Sequence, residues 1–246
     1  VCGKVVVATQ DSELPFMEKI FANGLANDTE GIEKITGEQV REIEPNCSGI
    51  AGIRVPCTGI IDYVQATEKM AELVLAKQPK SKVSLGDAFV KLEEQAGKNK
   101  VITEKTNYSA KHTIFCGGLQ SDRLAKADGV DLDLQIVGFR GDYYELTEQA
   151  KHKVKHLIYP VPNPEFPFLG VHFTRMTNGE IECGPNAVFT FKREGYGKTD
   201  FDLKDTVDAL SYGGTWKLFG KHWKFGLDEY KRAFSKKLFL NRLQAL

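Results

Sequence analysis

The alternation of apolar and polar positions divides the chain into short elements. Residues 5–9 form a β-branched run and predict a strand. Leu14, Met17 and Ile20 recur at helical spacing, so a helix is expected from a cap at Asp11 or Ser12 to about Asn23. Residues 36–44 predict a further turn or two of helix, opened by Thr36, with Glu38 and Gln39 in its first turn, and closed before Pro45. Residues 49–56 alternate as a strand.

From Gly59 the texture changes. Asp62 opens an amphipathic helix whose apolar stripe is Val64, Thr67, Met70, Ala71, Leu73 and Val74, running to about Ala76. Strand-like runs follow at 82–85, 88–93 and 100–104, with a polar turn at 96–99, and a last apolar run at 112–116 reads as a strand ending in Gly117-Gly118. Helix, strand, hairpin and strand together read as a mixed α/β layer. Two glycines at a strand end leave the backbone open to close approach by a ligand. After a polar connector near 128–133, runs at 136–139, 142–146, 157–159, 170–175 and 180–183, separated by Gly, Pro and Asn, predict a mostly antiparallel sheet. Residues 203–246 are helical in texture, with Phe201, Val207, Leu210, Leu218, Phe219, Tyr230, Phe234, Leu238 and Leu240 as expected core positions.

Charge and composition narrow the function classes. The 246 residues carry 33 Lys plus Arg against 33 Asp plus Glu, so no net field favours nucleic acid. With 41% apolar residues the chain can bury a substantial core as one large domain or two smaller ones, which excludes disorder. No apolar run approaches the roughly 20 residues needed to span a bilayer. The opening Val-Cys-Gly-Lys has no initiator Met and no leader pattern, and suggests a sequence that begins inside a larger protein. Cys2, Cys47, Cys57, Cys116 and Cys183 are odd in number and widely spaced, which favours reduced thiols in a cytosolic chain, each a small buried hydrophobe.

There is no P-loop, no G-x-S-x-G, no H-E-x-x-H and no complete G-x-G-x-x-G, and the five histidines have no metal-ligand spacing, so no metal is expected. What remains lies in the sheet region. In residues 170–175, alternation places His172 and Thr174 on one face, opposite Val171 and Phe173. His172 is then a candidate proton acceptor facing a cleft, or a structural histidine bonded to a neighbouring strand. Arg140, flanked by Gly138 and Gly141, suits a carboxylate gripped by paired hydrogen bonds, or a salt bridge to Asp142 or Glu145. The Pro-rich segment 159–164 and Gly184-Pro185-Asn186 read first as rigid loop and turn.

Several runs, taken in order, carry a resemblance. Cys2-Gly3-Lys4, Gly59-Ile60-Ile61-Asp62-Tyr63, Cys116-Gly117-Gly118-Leu119-Gln120-Ser121-Asp122, Gly138-Phe139-Arg140-Gly141-Asp142-Tyr143-Tyr144, Ile158-Tyr159-Pro160-Val161-Pro162, Phe166-Pro167-Phe168-Leu169-Gly170-Val171-His172-Phe173 and Gly184-Pro185-Asn186-Ala187 resemble the L-2-hydroxyglutarate oxidase/dehydrogenase family of FAD-dependent, D-amino-acid-oxidase-like enzymes. The resemblance covers the chain to about Tyr196 and weakens beyond. It implies an α/β fold with an α+β substrate domain: a partial Rossmann-type FAD domain at 58–130, and a mixed, mostly antiparallel substrate-domain sheet built from 1–57 and 131–246, the latter carrying the C-terminal helices. It implies FAD contacts at Val90, Cys116, Gly117 and Gly118. His172 and Tyr159 would face the flavin from the substrate side, His172 as base; Arg140 would bind a substrate carboxylate, with Tyr144 and Asn186 as further polar groups.

The implied reaction oxidises a small dicarboxylate, L-2-hydroxyglutarate, to 2-oxoglutarate. A second cation for the second carboxylate is not evident. The implied location is cytoplasmic or at the inner face of a membrane, with a peripheral membrane or quinone link among the partners and the oligomeric state open. The glycine-rich turn that would hold the FAD pyrophosphate is absent from these residues, so a fragment of this extent is expected neither to hold FAD tightly nor to turn over substrate alone. Gly138 and Gly117 stand where the family pattern has Pro and Ala, which predicts looser loops there. Two other readings stay open: a non-catalytic dicarboxylate- or partner-binding domain, and a related FAD amino-acid or amine oxidase.

Overall fold

The computed structural model describes residues 1–95, 97–162 and 170–246. In chain order the elements are β1 (Lys4–Ala8), α1 (Leu14–Ala26), β2 (Glu33–Thr36), α2 (Gly37–Ile43), β3 (Ala51–Val55), α3 (Tyr63–Lys77), β4 (Phe89–Gln95), β5 (Lys98–Thr103), β6 (Asn107–Ala110) and α4 (Ser121–Ala127). They continue with β7 (Phe139–Arg140), β8 (Tyr144–Glu145), β9 (Leu157–Pro160), β10 (His172–Arg175), β11 (Ile181–Gly184), β12 (Val188–Phe189), α5 (Leu203–Ser211), α6 (Gly213–Phe234) and α7 (Lys236–Leu243). Two compact units result. One holds Val1–Asp62, Arg140–Val188 and Trp223–Leu246; the other holds Tyr63–Phe139 and Phe189–His222.

The first unit is built on a seven-stranded sheet in the order β2-β3-β1-β9-β10-β11-β8. Among the described residues of this sheet the β1–β9 pair is parallel and the other pairs are antiparallel. The run Val5, Val6, Val7, Ala8 is apolar at every position because β1 is covered on both faces. Val5 and Val7 join Ile35, Val40, Ile158 and Ile181 on one side. Val6 and Ala8 join Met17, Ile53 and Val161 on the other, where Leu14, Phe16 and Ile20 of α1 pack. α2 starts at a complete capping box, with the Thr36 hydroxyl accepting from the Gln39 N–H and the Gln39 side chain accepting from the Thr36 N–H. Farther along the sheet Val171 and Cys183 pack with Phe239 and Leu243 of α7.

The second unit contains α3, the antiparallel sheet β4-β5-β6 and α4 and α5. Its segments are tied by a buried ion pair: Arg193 grips Asp122 with both terminal nitrogens and also donates to the carbonyls of Leu119 and Ile136, at 3.0 Å each. The Asp122 carboxylate meanwhile accepts from the Ile136 N–H at 3.0 Å. These bonds link 119–136 to Arg193 within the unit that groups 189–222 with 63–139, whereas the resemblance implies a substrate-domain segment running from 131.

Other expectations shift for local reasons. The 82–85 and 112–116 runs are not strands; Leu85 is 87% and Ile114 85% exposed, and neither run has a ladder partner among the described residues. β2 and β6 are strands that short, polar sequences conceal. The first helix has no side-chain cap from Asp11 or Ser12; those residues form a 3-10 turn, and Glu13 reaches back to accept from the Thr9 N–H at 2.7 Å. The stripe of α3 is present but none of its residues is buried. In the C-terminal helices Phe201, Val207, Phe234, Leu238 and Leu240 are exposed, and the core is made instead by Ala209, Ala233, Phe239 and Leu243. Gly138 is not loose: a Cβ there would lie 2.7 Å from the Thr190 hydroxyl oxygen. Ala96 of the expected turn, Asn163 and Pro164 of the Pro-rich segment, and residues 166–169 lie outside the described residues. Among the described residues, no helix is long and apolar enough to cross a membrane.

Candidate functional site

One face of the seven-stranded sheet changes character across its width. Over β1 and β3 it is apolar and covered by α1; from the start of β1 outward it is lined by polar and aromatic groups. Alternation explains which side chains are there. Ile158, Phe173, Ile181 and Cys183 point to the opposite, core side, so Tyr159, His172, Thr174 and Glu182, one residue removed, share the polar face. Lys4 has the same parity as Val6 and Ala8 and joins them there.

Tyr159 and His172 stack with ring centroids 4.0 Å apart and planes at 18°. The Lys4 ammonium lies over the same tyrosine ring, 5.2 Å from its centroid. On the far side of His172 its register partner is Gly184. The Tyr143 ring lies over Gly184 so closely that a Cβ would meet its Cδ1 at 2.8 Å, which is why only glycine fits there. Burial, the Glu182 carboxylate and Tyr159 all push the Tyr143 phenol above its ordinary value. The Glu182 carboxyl is likewise raised, by burial and by Glu145 and Glu180. Lys4 of β1, Tyr159 of β9 and His172 of β10 therefore form a row across three adjoining strands, and the Tyr143 ring lies over Gly184 of β11 beyond them.

The protonation state of His172 follows from its surroundings. Its Nδ1 is 2.9 Å from the carbonyl of Gly170, which can only accept, so Nδ1 carries the proton. Neutral imidazole then has its lone pair on Nε2. Burial lowers the His172 pKa, the Gly170 bond opposes this, and the Lys4 charge lowers it further. The ring is 5% exposed and neutral at physiological pH.

The remaining substrate-side candidates are placed differently. Arg140 and Asn186 come together around Asp142: Arg140 Nε donates to Asp142 Oδ1 at 2.6 Å, the Asp142 N–H donates to Asn186 Oδ1 at 2.7 Å, and Asn186 Nδ2 donates to Asp142 Oδ2 at 3.1 Å. Arg140 is thus buried and already neutralised, the salt-bridge alternative that its spacing left open. Tyr144 lies on the core face, tilted against Phe239 at 4.7 Å; its neighbour Tyr143 has the polar face. The parity of 143–146 carries that distinction, since Leu146 must be inside. Lys4, Tyr143 and Glu182 are the residues that strand reading alone did not single out. For Lys4 the available signal was a cation at the head of an otherwise apolar strand.

In the second unit, Phe89 and Phe115 meet edge to face at 5.0 Å, which brings Val90 and Cys116, their sequence neighbours, to one region. Asn99 Nδ2 donates to the Thr113 hydroxyl at 3.2 Å and ties the same run to β5. Val90 is 54% exposed and Cys116 is exposed. Gly118 has φ +52°, and a Cβ there would meet nothing within 4 Å. The open backbone beside exposed residues fits close approach by a large cofactor. No cluster of three metal-ligating side chains occurs among the described residues.

The sheet unit carries a stacked Tyr–His pair, and the α/β unit carries an open glycine turn. The chain belongs to the FAD dependent oxidoreductase family, whose model matches residues 1–214. Among individual proteins it is similar to the L-2-hydroxyglutarate dehydrogenase of Indibacter alkaliphilus, 44% identical over 247 residues, which cover 99% of this chain and 61% of that protein. It is 38% identical to the L-2-hydroxyglutarate dehydrogenase of Escherichia coli K12 over 99% of this chain and 57% of that one. The chain thus spans little more than half the length of these curated relatives. Among solved structures it resembles the L-α-glycerophosphate oxidase of Mycoplasma pneumoniae with FAD bound, at a TM-score of 0.70 and 23% identity over 88% of this chain and 56% of that chain. A second neighbour is glycine oxidase from Geobacillus kaustophilus, at 0.62 and 13% over 77% of this chain and 49% of that chain. Both likenesses concern the fold.

Proposed function

We propose that the chain acts in an FAD-dependent dehydrogenase that oxidises L-2-hydroxyglutarate to 2-oxoglutarate. The observation that carries the reading is the His172 imidazole: buried, neutral, held by Tyr159 and Gly170, with Nε2 left as its basic nitrogen. The relatives' substrate supports the choice of acid, and family membership supports the cofactor. When bound, FAD supplies a two-electron acceptor for the hydride at the substrate C2. Val90, Cys116, Gly117 and Gly118 are the residues that would lie against it.

The chain's own contribution is proton chemistry and positioning. Nε2 of His172 takes the substrate hydroxyl proton, so that the C–O bond becomes a carbonyl as C2 loses hydride. Stacking on Tyr159 and the bond to Gly170 keep the ring from turning, which preserves the tautomer through turnover. Its depressed pKa leaves it unprotonated before the reaction begins.

The test is flavin reduction in the FAD-loaded full-length protein, followed by absorbance with L-2-hydroxyglutarate, L-glycerol 3-phosphate and a panel of amino acids. L-2-hydroxyglutarate should reduce the flavin and yield 2-oxoglutarate. A flavin reduced by an amino acid or by L-glycerol 3-phosphate and not by L-2-hydroxyglutarate would overturn the reading.

A further inference from the structure

Among the described residues, Lys4 is a cation without a counter-charge at the site. It heads a strand whose next four residues are all apolar and buried, and among the described residues no carboxylate pairs with it. The acids on its sheet face, Glu182 and Glu145, belong to β11 and β8, three and four strands away in the order β1-β9-β10-β11-β8, hence roughly 14 Å or more at the usual strand spacing. Its ammonium is held instead over the Tyr159 ring at 5.2 Å. A partly desolvated cation in that position is stabilised by an anion that enters from the open side.

We propose that Lys4 binds the substrate carboxylate remote from the reacting carbon and so selects dicarboxylic 2-hydroxy acids. This rests on the dehydrogenase reading above, and it assigns the second cation that a dicarboxylate requires. Arg140 cannot take this role without giving up Asp142. The span agrees. The ammonium and the imidazole centre are no farther apart than the 5.2 Å and 4.0 Å separations laid end to end. A five-carbon diacid reaches roughly 5–6 Å from its C2 hydroxyl to its far carboxylate, and hydrogen bonds of about 2.9 Å at each end complete the bridge with a slight bend. The effect of Lys4 on His172 is a second sign of this proximity.

The experiment compares L-2-hydroxyglutarate with L-2-hydroxypentanoate, which has a methyl group in place of the far carboxylate, in the FAD-loaded full-length wild type, Lys4→Met and Lys4→Arg. Loss of a charge-assisted contact should lower kcat/KM for the diacid by about 10- to 100-fold in the Met variant, mostly through KM. At pH 8, above the His172 limb, the monoacid should stay within about threefold, because it never used the contact. Lys4→Arg keeps the charge and should keep most of the discrimination. Calorimetric binding of glutarate against pentanoate gives the same comparison without turnover: glutarate should weaken in the Met variant and pentanoate should not. Equal losses for both acids in the Met variant would overturn the proposal and leave Lys4 a support for the Tyr159 ring. If the wild type binds glutarate through Lys4 but L-2-hydroxyglutarate never reduces the flavin, the dehydrogenase reading fails and the dicarboxylate site stands.

Discussion

Replacing His172 by Asn removes the Nε2 base while keeping a small polar side chain. The size of the loss can be worked from the site. A positioned general base contributes about 10²–10⁴-fold, or roughly 2.7–5.5 kcal/mol of barrier at 1.36 kcal/mol per tenfold. The structural cost is smaller: the ring is lost from the stack with Tyr159, worth about 0.5–1.5 kcal/mol, so the variant should fold and the defect should appear in kcat. Steady-state kinetics with L-2-hydroxyglutarate across pH 5–8 is the assay. In the wild type kcat/KM should rise with pH and level off below the ordinary 6.5 of histidine, since burial and Lys4 lower the pKa. In the variant that limb should vanish. Lys4→Met removes a nearby cation and should move the limb to higher pH. The same shift has a stability consequence: His172 binds its proton less readily folded than unfolded, so its contribution is full above 6.5 and is lost as pH falls through the folded value. An Asn variant keeping more than a tenth of the activity, or a wild-type limb above 6.5, would refute the assignment of His172 as base.

Other outcomes follow from buried charge and from cysteine exposure. Asp122→Ala strands the Arg193 guanidinium and the Ile136 N–H and should cost about 3–5 kcal/mol in urea unfolding, while the double change with Arg193→Leu should cost less than the single one; additive losses would count against the pair. Glu44, fully buried, accepts from the backbone N–H groups of Lys155 and His156 and pairs with His156 Nδ1 at 2.7 Å, so Glu44→Ala should destabilise by about 3 kcal/mol or more, read by denaturant midpoint. Maleimide labelling followed by mass spectrometry should modify Cys57 and Cys116 in the native protein and spare Cys47 and Cys183, the latter pushed up to about 12 by burial and Glu182. Bound FAD should slow labelling at Cys116 and leave Cys57 unaffected.

Much of this molecule was legible in its residues, and the boundary has a physical cause. Period-two alternation was enough to put His172 opposite Val171 and Phe173, because a half-buried strand leaves its side chains no other choice. The capping residues of α2 and the doubly apolar run of β1 are likewise local statements about hydrogen bonds and burial. Residue chemistry also singled out Arg140, but whether its charge was available depended on Asp142 and Asn186, and Asn186 reaches it only through the fold. Tyr143 and Tyr144 are adjacent and chemically alike; the parity with Leu146 separates the one facing the site from the one in the core, and the packing of Tyr144 on Phe239 shows which is which.

The same limit governs the long-range features. Nothing local joins residue 122 to residue 193, so the grouping of 189–222 with 63–139 is visible only in the folded chain, where their ion pair links the two segments. The exposed apolar positions of α3 and of the C-terminal helices show that a periodic stripe specifies a helix but not what it packs against. Lys4 is the sharpest case. In sequence it is a lysine before four apolar residues; in the folded sheet, strand order places it over Tyr159 and beside His172, because β1 and β9 pair across more than 150 residues of chain. Residue type determined which chemistry was possible here, and the pairing of distant strands decided where that chemistry meets.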